Sequence, residues 1–363
     1  MTGTEACIAL NMVPNLGPVR LRKLIEVFET PERVLRATAS ELRRVDGVGP
    51  EVADGIAGWE SQIDLAGELR RIEEFGAHVL TRESAEYPRD LREIYNPPIV
   101  LYVWGTLIER DHRAVSVVGS RKTSHYGLDC AKKLSFQLAY AGLTVVSGLA
   151  RGIDTAAHQG ALAAKGRTIA VIGSGLMDLY PPENRGLAEK IAESGAVVSE
   201  FPMTFPPDRQ TFPYRNRIVA GWGQGVLVVE AGLNSGALIT ASQAIDHGRQ
   251  VYAVPGQIDR PTSAGTNRLI QQGAKLVTGA DDILEDLNLL IPPASAARSQ
   301  PTISGDLSAE EQAVLETLAD GETSLDDLVT KTRLPTQKVS STLLALEMKR
   351  RVKALPGQNF VKL

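Results

Sequence analysis

The chain contains few cysteines, few aromatic residues and no long apolar run. Aromatic residues make up 5% of it, and its two cysteines, Cys7 and Cys130, have neither the paired spacing of a zinc site nor the number that a disulfide framework needs. No apolar stretch approaches the roughly 20 residues of a membrane-spanning helix. The N-terminus lacks the basic and then apolar segments of a secretory signal. We therefore expect a cytoplasmic protein without a membrane partner.

The charge balance excludes a strong overall field of either sign. The 363 residues carry 39 Lys and Arg against 43 Asp and Glu, which gives a formal net charge of −4. Any binding to nucleic acid would therefore rest on a local cationic patch. With 43% hydrophobic and 23% charged residues the composition is that of a globular chain, and its length predicts two or three domains.

Short apolar runs in the middle of the chain predict a parallel sheet. Six runs rich in β-branched residues recur about every 25 residues, with helical stretches between them. This alternation is typical of a doubly wound α/β fold, in which the strands are buried on both faces. The runs are Val115–Val118, Leu143–Val146, Ile169–Ile172, Ala196–Val198, Val226–Val229 and Val251–Val254.

The first 85 residues predict a helical domain with two tight turns. Gly17-Pro18 and Gly49-Pro50 each precede a periodic apolar run, and a Gly-Pro step at a helix start leaves backbone N–H groups free at the turn. The pattern favours a helix-hairpin-helix, or SAM-like, domain over residues 1–85. Such turns hold duplex phosphates in some proteins and are plain structural units in others, and the sequence leaves both open.

Residues 307–363 predict a winged-helix domain. Three helices, Glu310–Leu318, Leu325–Thr332 and Thr336–Lys349, precede a hairpin signal around Pro356-Gly357. Eight Lys and Arg balance eight Asp and Glu here, so the charge of this domain fits partner docking or packing as well as it fits DNA contact. The stretch 292–306 is rich in Pro, Ser and Ala and predicts a linker, which leaves 86–291 for the sheet domain.

Glycine, serine and arginine follow the predicted strands. In an open parallel sheet, ligands bind outside the carboxyl ends of the strands. Backbone N–H groups and guanidinium forks at such ends suit phosphate oxygens, so the sequence predicts a positive groove in a slightly acidic protein. The segments are Gly119-Ser120-Arg121-Lys122, Ser147-Gly148 with Arg151-Gly152, Gly173-Ser174-Gly175, and Asn234-Ser235-Gly236.

A segment of cations and aromatic residues lies between the fourth and fifth predicted strands. It contains Phe212, Tyr214, Arg215, Asn216 and Arg217. Cations next to aromatic rings are what a single-strand platform needs, because the charges meet phosphates and the rings meet bases. A solvated loop with Phe212 in the core fits the same spacing.

Two enzymatic interpretations use the same sheet. Gly173-x-Gly175, with Glu200 after the next strand, partly matches a dinucleotide fingerprint, but position 178 is Asp instead of the third Gly. Asp154 and His158 stand one helical turn apart and form either an acid–base pair or an ordinary helix contact. The sequence has no nucleophile elbow, HExxH or Walker lysine, and we expect neither a catalytic residue nor a metal site.

Together these segments resemble the DNA-processing protein A family, also called Smf. The resemblance is dense from about residue 87 to 285, and the motifs occur in order. They are Tyr87-Pro88, Leu91, Ile94, Pro97-Pro98, Leu101-Tyr102, Val118-Gly119-Ser120-Arg121, Tyr126-Gly127, Ser147–Asp154, Ala157-His158, Tyr180-Pro181, Asn184, Ser199-Glu200, Phe212-Pro213, Arg215-Asn216-Arg217, Ser235-Gly236, Thr240-Ala241, Val254-Pro255-Gly256, Gly265, Asn267, Leu269-Ile270 and Gly273-Ala274.

The resemblance implies a non-enzymatic, cytoplasmic protein that binds single-stranded DNA and needs no cofactor. Family members protect incoming strands during natural transformation, help load the RecA recombinase, and dimerise through an extended Rossmann-like domain. Asn216 and Asp154 also suit a purely structural role in the loops. Carried onto this sequence, the resemblance assigns DNA contacts to Ser120, Arg121, Lys122, Gly148, Arg151, Gly152, Gly173, Ser174, Gly175, Phe212, Arg215, Asn216, Arg217, Ser235 and Gly236.

A nucleotide hydrolase on the same fold is the alternative. The sheet also resembles nucleotide phosphoribohydrolases related to lysine-decarboxylase-like proteins, which typically carry a Pro-Gly-Gly-x-Gly-Thr loop with a following Glu. The corresponding stretch here, Glu230–Gly236, lacks that pattern. Release of free base from nucleoside monophosphates would distinguish the two functions.

Overall fold

The computed structural model describes residues 1–287, 308–318, 323–332, 334–348, 351–355 and 359–362. They fall into two compact units, one within Met1–Ile291 and one within Pro292–Leu363, and each is described by itself. The linker predicted at 292–306 lies outside the described residues.

Seven short helices form the N-terminal domain. Gly17 and Gly49 are the extended N-cap residues before Pro18 and Pro50, so both Gly-Pro steps begin a helix, as the sequence predicts. A shared core of small and branched apolar side chains joins the helices. The helices are α1 (Gly3–Met12), α2 (Pro18–Phe28), α3 (Pro31–Arg36), α4 (Ala39–Leu42), α5 (Pro50–Ala57), α6 (Trp59–Gln62) and α7 (Leu65–Phe75).

A nine-stranded, mostly parallel sheet follows. All six predicted strands are present, each with ends within one residue of the prediction. The three additional strands are β1 and β2 at one edge and β9 at the other. The strands are β1 (His78–Thr81), β2 (Val100–Gly105), β3 (Ala114–Val118), β4 (Thr144–Ser147), β5 (Thr168–Val171), β6 (Ala196–Ser199), β7 (Gly225–Val228), β8 (Gln250–Ala253) and β9 (Lys275–Leu276).

The order of the strands places a crevice in the middle of the sheet. They lie in the order β1-β2-β6-β5-β4-β3-β7-β8-β9. All pairings from β6 to β9 are parallel, whereas β2 is antiparallel to β6 and β1 to β2. The chain builds outward from β3 to β6 and then returns to place β7 on the other side of β3. The loops after β3 and β7 therefore diverge, and this switch point is where ligands bind in such sheets.

Helices cover both faces of the sheet, and its central strands are buried throughout. Two apolar clusters, one on each side, account for their near-continuous Val, Ile and Ala content. The helices are α8 (Arg89–Arg92), α9 (His125–Tyr140), α10 (Ile153–Ala163), α11 (Arg185–Ser194), α12 (Thr211–Trp222), α13 (Gly236–Asp246), α14 (Ala264–Gln271) and α15 (Asp281–Asp286).

The C-terminal unit has the predicted three helices and hairpin. A third short strand completes an antiparallel sheet in the order β10-β12-β11, and a small apolar core that includes Val314, Leu328 and Leu343 lies between helices and sheet. Within the described residues, no helix is long and apolar enough to cross a bilayer. The elements are α16 (Ala309–Thr317), β10 (Thr323–Ser324), α17 (Leu325–Thr332), α18 (Thr336–Met348), β11 (Val352–Leu355) and β12 (Asn359–Lys362).

Candidate nucleic-acid interface

A large open groove occupies the switch point between β3 and β7. Its volume is about 1250 Å³. The loops after β3, β4 and β7 and the segment that enters α12 supply most of the lining, and Tyr180, Pro261 and Ala264 complete it. Residues lining the groove include Ser120, Arg121, Lys122, Asp154, Tyr180, Asp208, Arg209, Phe212, Arg215, Asn216, Leu233, Asn234, Ser235, Gly236 and Ile239.

Three exposed cations line this groove. Arg121 and Lys122 project from the loop after β3, and Arg209 lies in the segment before α12. No ion pair joins any of the three to another described residue, so their donors are available to a ligand. The Ser120 hydroxyl donates to the carbonyl of Lys122 at 2.7 Å, which fixes the turn that presents both cations. Sequence patterns did not single out Arg209, because it stands in a Pro- and Asp-containing loop away from any strand end.

Arginines and aromatic rings alternate along one rim of the groove. The Arg121 guanidinium lies 4.9 Å from the centroid of the Phe212 ring, and that ring lies 5.8 Å from the Tyr180 ring at an angle of 50°. The Arg151 guanidinium then lies 5.4 Å from the Tyr180 ring. We call Arg121, Phe212, Tyr180 and Arg151 the rim ladder. In such an arrangement the aromatic ring faces can stack on bases, and the neighbouring arginines can bind phosphates.

Arg151 is exposed but already partnered. It forms a two-pronged ion pair with Glu183, with Nη2 at 3.1 Å from Oε2, and donates to the Tyr180 hydroxyl at 3.0 Å. These hydrogen bonds raise the pKa of Arg151, and the same pair lowers the pKa of Glu183. A phosphate at the outer end of the rim ladder would therefore compete with the Glu183 carboxylate.

Arg215 lines the floor of the groove but is almost completely buried. It is buried and donates to the carbonyl of Val171 at the end of β5. Burial lowers the pKa of Arg215 to about 10, against the opposite influence of Asp154. Burial raises the pKa of Asp154 to about 6, although Arg215 opposes the change. Its carboxylate accepts from the backbone N–H of Gly148 at 3.1 Å, so the pair shapes the loop after β4.

Arg217 does not line the groove. It forms a fork with Glu200, with N–O distances of 2.8 and 2.6 Å, and both side chains are 6% exposed. Burial raises the pKa of Glu200, and Arg217 counteracts it. The predicted extension of a phosphate track to Arg217 therefore has no geometric support, because the side chain is buried and both of its Nη atoms bond to Glu200. Because Arg217 binds both oxygens of the Glu200 carboxylate, that carboxylate is not available to the ribose of a dinucleotide.

The Gly173-Ser174-Gly175 loop is buried, and its polar groups bond to protein. The carbonyl of Gly173 accepts from the Thr211 hydroxyl at 2.6 Å, and the N–H of Gly175 donates to the carbonyl of Phe205 at 2.8 Å. A side chain at position 175 would collide with the carbonyls of Pro202 and Met203. The loop therefore presents little backbone to a ligand, because the neighbouring segment accepts from the N–H of Gly175 and fills the space beside it.

The other predicted glycines and polar residues lie at the groove or directly behind it. Gly148 leaves room for the Arg215 and Asp154 side chains. Gly152 has φ +79 and lies against the carbonyl of Ser120, which brings the loops after β3 and β4 together. Ser235 caps α13 by accepting from the N–H of Ala237 at 3.3 Å, and Gly236 is exposed beside it.

Asp154 and His158 do not form an acid–base pair. Nδ1 of His158 lies 2.7 Å from the Thr168 hydroxyl, whereas the Asp154 carboxylate turns to the loop after β4. Burial lowers the pKa of His158 to about 3, so the ring is neutral at physiological pH. The described residues also hold no cluster of His, Cys, Asp and Glu that suits a metal ion.

The fold and the groove define a doubly wound protein whose switch point presents cations and aromatic rings to an anionic ligand. The chain belongs to the DNA recombination-mediator protein A family, whose model matches residues 78–288. The family's winged-helix model matches residues 292–358, and a SAM-like helix-hairpin-helix tandem matches residues 8–57. The resemblance and the flanking domain types inferred from the sequence are thereby confirmed.

Several curated and structurally solved proteins are similar. Protein Smf of Synechocystis sp. is 34% identical over 97% of both chains, and DNA processing protein DprA of Streptococcus pneumoniae is 44% identical over 62% of this chain and 79% of its own. The solved structure of the Streptococcus pneumoniae protein has a TM-score of 0.69 at 37% identity, covering 79% of this chain and 98% of that one. A Helicobacter pylori structure, described for its single-stranded DNA binding mode, has a TM-score of 0.53 at 28% identity, covering 58% and 95%.

Proposed function

We propose that this chain is a non-enzymatic protein that binds single-stranded DNA in the groove, protects incoming strands and helps load RecA during natural transformation. The observation that carries the proposal is the rim ladder together with Lys122 and Arg209. Exposed cations without partners stand within one groove beside two aromatic rings. The relatedness to a recombination-mediator family and to a DNA-binding Helicobacter pylori protein supports it.

The groove favours single strands over duplexes because its aromatic rings can stack only on bases that are unpaired. Phe212 and Tyr180 present ring faces at the rim, and Leu233 and Ile239 form an exposed apolar wall. In a duplex each base face is covered by the neighbouring base pair, so these rings and this apolar wall would make no stacking contacts with duplex DNA. Phosphate contacts alone would bind both forms.

Each groove residue has a proposed task. Arg121, Lys122 and Arg209 bind phosphates, and Phe212 with Tyr180 stacks on bases. The backbone at Ser235-Gly236 approaches the strand without side-chain obstruction, and Asn216 lines the floor. Gly148, Gly152, Asp154 and Arg215 shape the floor of the groove and the loop after β4.

We further propose that the protein acts in the cytoplasm as a homodimer formed through the Rossmann-like domain over residues 86–291. The helical domain would span residues 1–85 and the winged helix 307–363. The homodimer derives from the family resemblance and the domain bounds from the sequence pattern, and the recombination-mediator description of the family supports a RecA partner.

Nuclease protection and RecA assembly test the proposal together. The full chain is mixed with a single strand covered by single-strand-binding protein, and RecA assembly is followed with and without Arg121→Ala. We expect the wild type to slow nuclease digestion and to speed RecA assembly, and the variant to need about tenfold more protein for either effect. Release of free base from nucleoside monophosphates, with no effect on either DNA assay, would contradict the proposal and favour the hydrolase alternative.

A further inference from the structure

The wall of the groove that carries Arg209 is held by the N-terminal helical domain. This wall segment, residues 200–210, leads from β6 into α12, and most of its later residues are exposed. It contributes Pro207, Asp208 and Arg209 to the groove. A strand-to-helix connection of this length needs contacts from outside itself to keep a fixed position.

The first contact is a buried carboxylate. Glu68 in α7 is 0% exposed, and its Oε1 accepts from the backbone N–H of Met203 at 2.7 Å. Its Oε2 accepts from Nε of Arg71 at 3.1 Å. Burying a carboxylate is costly unless its oxygens are hydrogen-bonded, so the position of the Met203 amide is strongly favoured.

Two further contacts come from the same domain. The Asn11 side chain in α1 donates to the carbonyl of Glu200 at 2.9 Å, at the start of the wall segment. The Met203 side chain is 0% exposed and belongs to the apolar cluster that the N-terminal helices share with sheet-domain residues such as Ile172 and Leu176. The helical domain therefore holds both the start and the middle of the wall segment.

The loop after β5 holds the opposite side of the wall segment. The N–H of Met177 donates to the carbonyl of Met203 at 2.9 Å, and the N–H of Gly175 donates to the carbonyl of Phe205 at 2.8 Å. The Thr211 hydroxyl at the start of α12 donates to the carbonyl of Gly173 at 2.6 Å. Any shift of the wall segment would therefore be transmitted to the start of α12, where Phe212 follows.

We propose that the N-terminal domain, through Glu68 and Asn11, positions the groove for DNA. The inference rests on the proposed function. Glu68 and Asn11 are positioning residues, because neither lines the groove. Loosening the wall segment lowers the fraction of molecules whose groove is competent, and the apparent dissociation constant rises by the inverse of that fraction. The phosphate contacts made once DNA is bound stay the same, so the salt dependence of binding does not change.

Salt dependence separates positioning residues from contact residues. Single-strand binding by the full chain is measured across a salt series for Glu68→Met, which removes the acceptor for the Met203 N–H, and for Asn11→Ala and Arg209→Ala. We expect the first two to weaken binding about fivefold, as loss of one hydrogen bond would, with an unchanged slope. Arg209→Ala should make the slope shallower by roughly 0.7 because one phosphate contact is lost. Unchanged affinity in both positioning variants, or a shallower slope in either, would overturn the proposal.

Hydrogen exchange gives a second readout that does not depend on DNA affinity. In Glu68→Met the amides of Met203, Met177 and Gly175 should exchange faster, and bound single strand should restore their protection. Leu24→Ala is the control, since it removes buried volume from the same domain without removing a hydrogen bond. It should lower stability and leave both affinity and these amides unchanged. If the wild type binds no single strand, the proposed function fails, whereas unchanged exchange at Met203 refutes the positioning role itself.

Discussion

The arginines of α12 and those of the groove loops are close in the molecule but act differently. Arg215 and Arg217 are buried, and each is paired with a carboxylate or a strand-end carbonyl. Arg121 and Arg209 are exposed and have no ion-pair partner among the described residues. The sequence alone assigns Arg121, Arg215 and Arg217 to one patch and does not single out Arg209. The structure shows that the two arginines of α12 bond to buried protein groups, whereas Arg121 and Arg209 stay exposed in the groove.

Because of this difference, the buried and the exposed arginines should affect different measured quantities. Removing one partner of a buried ion pair leaves an uncompensated charge, whereas an exposed side chain contributes little to folding. We therefore expect variants of the buried groups to change the free energy of unfolding and variants of the exposed cations to change DNA affinity.

The largest effect should follow Arg217→Ala. The change leaves the Glu200 carboxylate buried without its partner, and we expect the free energy of unfolding to fall by about 3–5 kcal/mol. Urea unfolding measures it. The double variant Arg217→Met with Glu200→Gln removes both charges and should recover most of the loss. A single variant as stable as the wild type would mean that the pair is not buried as described.

The buried Asp154 and His158 should give opposite responses to pH. His158 has a folded pKa of about 3, below its usual 6.5, so its contribution to stability is lost as pH falls through that interval. Asp154 has a folded pKa of about 6, above its usual 3.8, so its contribution is lost as pH rises through that interval. As pH rises from about 4 to 6, the free energy of unfolding of His158→Asn should fall relative to that of the wild type by about 1.4 kcal/mol per pH unit. That of Asp154→Asn should rise relative to the wild type by a similar amount.

Urea unfolding at several pH values between 4 and 6.5 provides the check. Comparing each variant with the wild type at the same pH removes the contribution of all other titrating groups. Variant curves that run parallel to the wild-type curve would show that neither group is buried in its described state.

Among exposed residues, Arg121→Ala should have the largest effect on binding. Loss of a charge-assisted phosphate contact should weaken single-strand binding about tenfold, equally for all base sequences, because phosphates carry no sequence information. Arg36→Ala is the matched control, an exposed arginine of α3 outside the groove. Anisotropy titrations with strands of different composition measure both. A loss confined to certain sequences would indicate base recognition instead.

The smallest effect should come from Glu183→Gln, and it should increase affinity. The substitution releases Arg151 from its ion pair and removes a negative charge from the outer end of the rim ladder. Because exposed ion pairs are weak, we expect binding to strengthen only about twofold. Weaker binding in this variant would mean that Glu183 holds Arg151 in its DNA-binding position.

The strands and the location of the groove could be predicted from sequence. β-Branched runs mark buried parallel strands, and Gly-Ser-Arg at a strand end marks a phosphate-sized turn. The burial of Arg217 could not be predicted, because its partner Glu200 belongs to another element and only the fold brings them together. Arg209 and Tyr180 were missed as groove residues because neither directly follows a strand, and only the fold brings them to the groove. Gly173-Ser174-Gly175 looks like a nest in sequence, but the wall segment occupies it.

Single-strand binding across a salt series tests the central claim most directly. Labelled oligothymidine and a duplex of the same length are titrated with the wild type and with Arg121→Ala. If exposed cations and aromatic rings in one groove bind the strand, affinity should fall steeply with salt, by roughly 0.7 in the logarithmic slope per phosphate contact. The single strand should be preferred, and the variant should be weaker with a shallower slope. A flat salt response, equal binding to the duplex, or a variant that binds like the wild type would contradict the account.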